Sequence, residues 1–316
     1  MKNSLLLLFS IANFFICAGQ NGKIISEEQV VQPDSVKNFR IKRIPEFKEI
    51  FEKTKLSTIK YLSEGLKIEG FVAQPIVEGK YPCIIFCRGG GGELSKIDWW
   101  DTTVFSQLAS KGYVVIASQY CGTSGSEGKD EFGGKDVLDV INLIPTLANI
   151  PSADTSRIGM LGVSRGSIMI YKSLQTLTNI KAAVINSGGP DLFDAFNRKD
   201  GAEWDSYYAK TIPDYSKNKD LALQERSATF WPEKICKTTP LLILHGTSDW
   251  RISIDANLKF VDKLVKLKHP VRFVMYEGGV HVLKNANPTK DIMIMDFFDK
   301  YLKNNSLLPN MELNGK

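Results

Sequence analysis

The chain has 316 residues, 43% of them hydrophobic, enough for one large α/β domain with a packed core, and its 24% charged content is ordinary for a globular protein. The formal net charge of +5 is mild and evenly spread, which argues against nucleic acid or an anionic membrane surface as partner. No Cys-x-x-Cys and no histidine pair at ligand spacing occurs, so neither a metal nor another cofactor is expected.

Met1-Lys2-Asn3 forms a short positive end, residues 5–17 are almost wholly apolar, and residues 18–22 are small and polar. This is the design of a secretory leader, expected over 1–18, and it is too short for a stable membrane span. Cys17 follows Ile16 where lipoprotein processing wants a small residue, so an exported, unlipidated product without membrane insertion is expected. Residues 19–56 read as a polar, irregular extension with one helix near 46–53.

Eight β-like runs follow. The first two, 57–62 and 67–74, alternate about the turn Ser63-Glu64-Gly65 and predict a hairpin. The others, 83–87, 113–119, 157–163, 182–186, 241–244 and 271–276, are continuously apolar, as parallel strands buried on both faces require. Helical patterns cover 103–111, 135–148, 168–177, 257–267 and 291–302. This alternation predicts a mostly parallel eight-stranded sheet with helices on both faces, over 57–304. Residues 190–236, rich in aromatic side chains, break the rhythm between the sixth and seventh strands and predict a helical cap; residues 305–316 form a tail. Of the cysteines past the leader, Cys83, Cys87, Cys121 and Cys236, the expectation is buried free thiols, with Cys87–Cys121 the one bridge this fold permits.

The fifth strand ends in Gly162-Val-Ser164-Arg-Gly166, a G-x-S-x-G turn that holds a serine hydroxyl above a sheet. Such short patterns arise by chance, so the partners decide. A serine hydroxyl needs a base, and the base needs an orienting acid. Of three histidines, His269 lies in a solvated approach to the last strand and His245 closes the seventh strand as a structural hydrogen-bonder. His281 follows the eighth strand in a glycine-rich loop, at the strand edge where catalysis sits in parallel sheets. Asp249, just past the seventh strand, is the expected acid, with Asp255 and Glu277 as lesser candidates. Donors for a developing oxyanion would be the N–H of Arg165 and that of Gly89 or Gly90, in the loop Arg88-Gly-Gly-Gly-Gly92. That loop lacks the Gly-Lys-Ser/Thr ending of a phosphate loop. Arg88 and Arg165 could also draw a carboxylate-bearing group toward the site, with a solvated or salt-bridged Arg165 as the equal alternative.

The hairpin, the glycine loop, Gly122-Thr-Ser-Gly-Ser-Glu-Gly128, the elbow and His245-Gly-Thr-Ser-Asp249 together resemble the catalytic domain of the prolyl oligopeptidase family, within the α/β-hydrolase superfamily. The resemblance runs from about Ser57 to Leu302. It departs in having Arg88 where the family often has histidine, Cys121 at the usual arginine, Ser167 in place of a glycine, and no β-propeller. The residues themselves imply an acyl hydrolase with Ser164, His281 and Asp249 as its triad; the resemblance implies a serine peptidase acting on small peptides. A carboxylesterase on the same machinery and a non-catalytic binding relative are the alternatives.

Overall fold

The structure, a computed structural model, describes residues 20–31, 33–285 and 289–315, so the expected leader lies outside the described residues. A single nine-stranded sheet runs in the order β1-β2-β3-β5-β4-β6-β7-β8-β9. Its strands are β1 (Ile24–Gln29), β2 (Thr54–Ser63), β3 (Leu66–Pro75), β4 (Tyr81–Cys87), β5 (Val114–Ser118), β6 (Ala153–Val163), β7 (Ile180–Asn186), β8 (Leu241–Gly246) and β9 (Val271–Tyr276). β1, β2 and β3 pair antiparallel and β3 meets β5 antiparallel; every later pairing is parallel.

The ninth strand corrects the eight expected. β1 comes from the segment read as irregular, and its sequence Ile-Ile-Ser-Glu-Glu-Gln carries no core-facing alternation because nearly all of it is exposed at the sheet edge. Its register on β2 is set by backbone pairing and by Glu27, which accepts from Lys55 and Ser57. Two helices, α1 (Asp34–Arg43) and α2 (Phe47–Lys53), complete this segment. The β2–β3 hairpin turns at Glu64 and Gly65, both at positive φ (50° and 80°), the backbone that suits a two-residue connection.

Alternate residues of the parallel strands feed two cores. Cys83, Ile85 and Cys87 of β4 face one, Ile84 and Phe86 the other. The first is covered by α4 (Val137–Ile141), α5 (Leu143–Ala148), α6 (Gly166–Ser173) and α9 (Ile254–Lys266), the second by α3 (Trp99–Ser110) and α10 (Thr289–Phe298). The helix expected over 135–148 is thus two short ones. Pro145 has no N–H to offer the carbonyl of Ile141, and the ladder breaks there. α3 starts earlier than its apolar pattern because Asp98 and Asp101 form a reciprocal capping box. The four cysteines among the described residues are free, so no Cys87–Cys121 bridge forms; Cys121 Sγ donates instead to the carbonyl of Lys129 at 2.8 Å.

Residues 190–236 hold a 3-10 segment (Leu192–Asn197), α7 (Gly201–Thr211), α8 (Lys219–Gln224) and short turns. Tyr208, Tyr215, Leu192 and Leu223 build a third apolar cluster with Phe132 and Ile168 from the main domain.

The tightest backbone contact is at Gly166, where a Cβ would meet the carbonyl oxygen of Cys87 at 2.0 Å. Both atoms belong to buried, packed elements, so neither can move cheaply. Gly166→Ala is expected to lower stability by about 2–3 kcal/mol, read as a fall in the urea midpoint at unchanged m-value; a midpoint equal to wild type would show that the elbow and β4 can separate.

Candidate active site

β4, β6, β7, β8 and β9 end at one edge of the sheet, and the loops after them converge there. After β6, Ser164 adopts φ +53°, a conformation rare for a residue with a side chain. The neighbouring positions make the turn possible: a Cβ at Gly162 would meet the Gly166 carbonyl oxygen at 2.8 Å, and Gly166 presses on β4 as described. The turn is fastened by the N–H of Ser164, which donates to Asn186 O at 3.0 Å, and by Ser167, whose hydroxyl donates to Ser164 O at 2.8 Å. The serine Oγ is left for other partners.

Two loops supply them. Asp249, whose side chain is fully buried, follows β8; His281, 14% exposed, follows β9. His281 Nδ1 lies 2.8 Å from Asp249 Oδ2, and His281 Nε2 lies 3.1 Å from Ser164 Oγ. Burial raises the Asp249 carboxyl, but the hydrogen bond and charge of His281 and the N–H of Arg251 outweigh it, and the group is held below the usual range. An ionised carboxylate only accepts, so Nδ1 carries the proton, and in the neutral ring Nε2 is free to accept from the serine hydroxyl. Asp249 Oδ1 accepts from the N–H groups of Arg251 (2.9 Å) and Ile252 (3.1 Å), which fix its rotamer. The His281 loop is pinned in turn: Val282 and Leu283 sit at positive φ (64° and 54°), and Val282 N–H donates to Ser187 Oγ at 3.0 Å. The end of β8 touches the loop after β9 at Gly246, where a Cβ would meet Gly279 O at 2.1 Å.

The other candidates are placed apart from this chain of bonds. His245 Nε2 donates to Ile252 O at 3.0 Å and stands 3.7 Å from Asp249; burial lowers its affinity for a proton, so it is a neutral strut for the Asp249 loop. His269, expected in a solvated approach, is instead buried, bonded to Cys236 O at 3.2 Å, and burial pushes it down to about 4. Asp255 starts α9, and Glu277 is exposed after β9.

The expectation that Arg88 and Arg165 reach toward a substrate carboxylate is corrected, because both guanidinium groups are buried and spent on the protein. Arg88 donates to Gln119 O, Gly89 O, Gly92 O and Thr123 Oγ1. Arg165 is paired with Asp130 (2.6 Å) and Asp136 (2.5 Å). Neither carboxylate was a sequence candidate; an arginine after a nucleophile gives no hint of partners 35 and 29 residues before it.

The glycine loop lies beside the serine: a Cβ at Gly89 would sit 3.8 Å from Ser164 Oγ. Among the described residues, the N–H groups of Arg165, Gly89 and Gly90 donate to no loop, turn or cap acceptor. A cleft opens at Ser164 with an apolar wall of Phe132, Ile168, Leu192, Trp204 and Tyr208, and with Asp194 and Arg251 also in its lining. Among the described residues no group of three or more His, Cys, Asp or Glu is placed to hold a metal ion, and no helix is long and apolar enough to cross a membrane.

Comparisons with known proteins place the chain in a family. The family model described as the prolyl oligopeptidase family matches residues 99–305. The uncharacterized peptidase YtmA of Bacillus subtilis is 28% identical over 251 residues, 79% of this chain and 94% of that protein. Dipeptidyl-peptidase 5 of Porphyromonas gingivalis is 26% identical over 66% of this chain, which spans only 31% of that protein. The acylaminoacyl peptidase of Pyrococcus horikoshii shares the fold with a TM-score of 0.69 at 22% identity, over 88% of this chain and 45% of that one.

Burial of His269 has a consequence for acid stability. The unfolded chain takes up a proton near pH 6.5, whereas the folded ring refuses it until about 4. Stability from this group is therefore complete above pH 6.5 and is lost as pH falls toward 4. Between pH 7.5 and 4.5 the stability advantage of wild type over His269→Gln is expected to shrink by on the order of 2 kcal/mol, measured by urea denaturation at both pH values; a constant difference would mean that the ring titrates alike in both states.

Proposed function

Because the chain belongs to the prolyl oligopeptidase family, we propose that it is an exported serine peptidase that cleaves amide bonds of small peptides through an acyl-enzyme on Ser164. The observation that carries this reading is the continuous run of bonds from Asp249 through His281 to Ser164, at 2.8 and 3.1 Å. The names of the relatives, peptidase and dipeptidyl-peptidase, support an amide substrate. The leader-like residues 1–18 support export.

In the mechanism, Ser164 Oγ attacks the substrate carbonyl while His281 Nε2 takes its proton. Asp249 accepts the Nδ1–H throughout, which holds the tautomer and stabilises the imidazolium as it forms. The carbonyl electrons move onto oxygen, and the N–H groups of Arg165 and of Gly89 or Gly90 meet that charge. Collapse of the tetrahedral species expels the amine, which takes the proton from Nε2. Water, deprotonated by the same nitrogen, then releases the acid and restores the serine. The wall of Phe132, Leu192, Trp204 and Tyr208 would receive an apolar side chain next to the scissile carbonyl.

Ser164→Ala and His281→Ala are expected to lose activity by several orders of magnitude, and Asp249→Asn by roughly 10⁴-fold, since an amide in its place permits the wrong tautomer. A fluorophosphonate probe should label the wild type and not Ser164→Ala. Turnover of p-nitrophenyl acetate is compared with that of aminoacyl and prolyl anilides. Ester cleavage without any anilide cleavage would replace the peptidase reading by an esterase, and an unlabelled wild type would remove the serine hydrolase altogether.

A further inference from the structure

The loop Gly89–Gly92 has no side chains with which to fix itself, and Gly90 and Gly92 take positive φ (62° and 51°). Such a loop would sample many conformations unless its backbone were tied down. Its bonds are distributed unevenly. Every carbonyl of the four is occupied: Gly89 and Gly92 accept from Arg88 (3.1 and 3.2 Å), Gly90 from Arg165 Nη1 (2.9 Å) and Gly91 from Leu94 N–H (3.0 Å). The last N–H, of Gly92, donates to Asp130 Oδ2 at 2.7 Å. Only the N–H groups nearer Ser164 lack an acceptor among the described residues.

Asp130 is the residue that joins this loop to the nucleophile. Its Oδ2 accepts at once from Gly92 N–H and from Arg165 Nη1 (2.7 Å), and its Oδ1 accepts from Arg165 Nη2 (2.6 Å) and from Phe132 N–H (2.8 Å). Arg165 directly follows Ser164, so the guanidinium and one expected oxyanion donor belong to the same residue. Its side chain is 2% exposed and Asp130's is 8% exposed. Phe132 and Tyr120 lie against the guanidinium at 4.5 and 5.3 Å, which denies it alternative positions. Arg88, which has no ion pair with a carboxylate among the described residues, stacks on the same Tyr120 ring at 4.7 Å.

We propose that Asp130 is a positioning residue: through its bidentate bond to Arg165 and its bond to Gly92 N–H, it holds the glycine loop at the distance from Ser164 at which both sets of oxyanion N–H donors converge. This rests on the catalytic reading of Ser164 above. Asp130 touches no reacting atom, and its effect is carried by the geometry of N–H groups in the loop and at Arg165. Oxyanion donors act on the transition state far more than on bound substrate, so displacing them lowers acylation and the affinity for tetrahedral adducts together.

The test uses Asp130→Asn, which keeps shape and loses charge, and Asp130→Glu, which keeps charge and shifts the carboxylate by one methylene. Fluorophosphonate titration counts functional sites, so that a loss of folded protein does not register. For each protein, kcat/KM for p-nitrophenyl acetate per titrated site and the Ki of phenylboronic acid, which adds Ser164 Oγ to boron and places a B–O group where the oxyanion forms, are measured. The expected result is a fall of at least tenfold in kcat/KM and a rise in Ki by the same factor, in both variants. Values within twofold of wild type overturn the proposal, as does a fall in kcat/KM with Ki unchanged, because that loss would not come from the oxyanion donors. An inactive, unlabelled wild type overturns the catalytic reading along with it, whereas an active wild type with equally active variants overturns the positioning role alone.

Discussion

The Gly166 backbone lies so close to the end of β4 that an added methyl would sit 2.0 Å from the Cys87 carbonyl oxygen, and most of the site's geometry descends from that contact. With α6 pressed on β4, the chain has too little room between β6 and α6 for an ordinary turn. Ser164 must take φ +53°, at a cost on the order of 1–3 kcal/mol that the surrounding core offsets. The same contact fixes how the loop after β4 leaves the sheet, which is why Gly89 arrives beside the serine. Ser164 and the glycine loop are thus placed by one packing constraint, before any polar interaction acts.

Polar interactions then remove the remaining freedom, and they do so by satisfying carboxylates in different ways. Asp249 is surrounded by N–H donors: the His281 ring on one oxygen, the backbone of Arg251 and Ile252 on the other. Three donors keep it ionised despite burial and leave it a single rotamer, so the imidazole inherits a fixed tilt. Asp130 and Asp136 are instead compensated by arginine, where burial and charge oppose each other. Asp130, with Gly92 and Phe132 N–H groups in addition, ends below its ordinary range; Asp136, more deeply buried and beside Asp130, ends above it. A buried ion pair contributes little net stability once desolvation is counted, but it is intolerant of displacement, and that property suits a site that must hold its geometry.

The inner parallel strands were legible because both of their faces are largely buried, so each reads as a mainly apolar run, and β9 was legible from its apolar residues although it lies half-exposed at the sheet edge. Ser164, Asp249 and His281 were legible because each follows such a run and the strand ends share one edge. β1 was not, since an exposed edge strand needs only backbone partners and carries no pattern of its own. The interruption at Pro145 was available in the sequence, but the apolar face of residues 135–148 continues across it and masked the break. For Arg88 and Arg165 the sequence could not decide between substrate and protein, for a different reason. A guanidinium near a nucleophile has the same appearance whether it faces substrate or protein, and its true partners, Asp130 and Asp136, are brought to it only by the return of the loop before α4.

That loop also links residues 190–236 to the sheet edge that carries Ser164. Phe132 stands between them, with its ring 4.5 Å from the Arg165 guanidinium on one side and 5.2 and 5.7 Å from the rings of Tyr208 and Tyr207 on the other. Tyr207 extends from α7 to the glycine loop itself, where a Cβ on Gly91 would strike its hydroxyl at 1.7 Å. The aromatic residues of 190–236 therefore do two things with the same surface area: they wall the cleft at Ser164, and they keep water from the ion pairs behind it. Water admitted to Arg165 and Asp130 would weaken their attraction severalfold by raising the local dielectric. The lining of the cleft and the packing of the glycine loop consequently depend on one cluster of rings, and a change in either would be felt by the other.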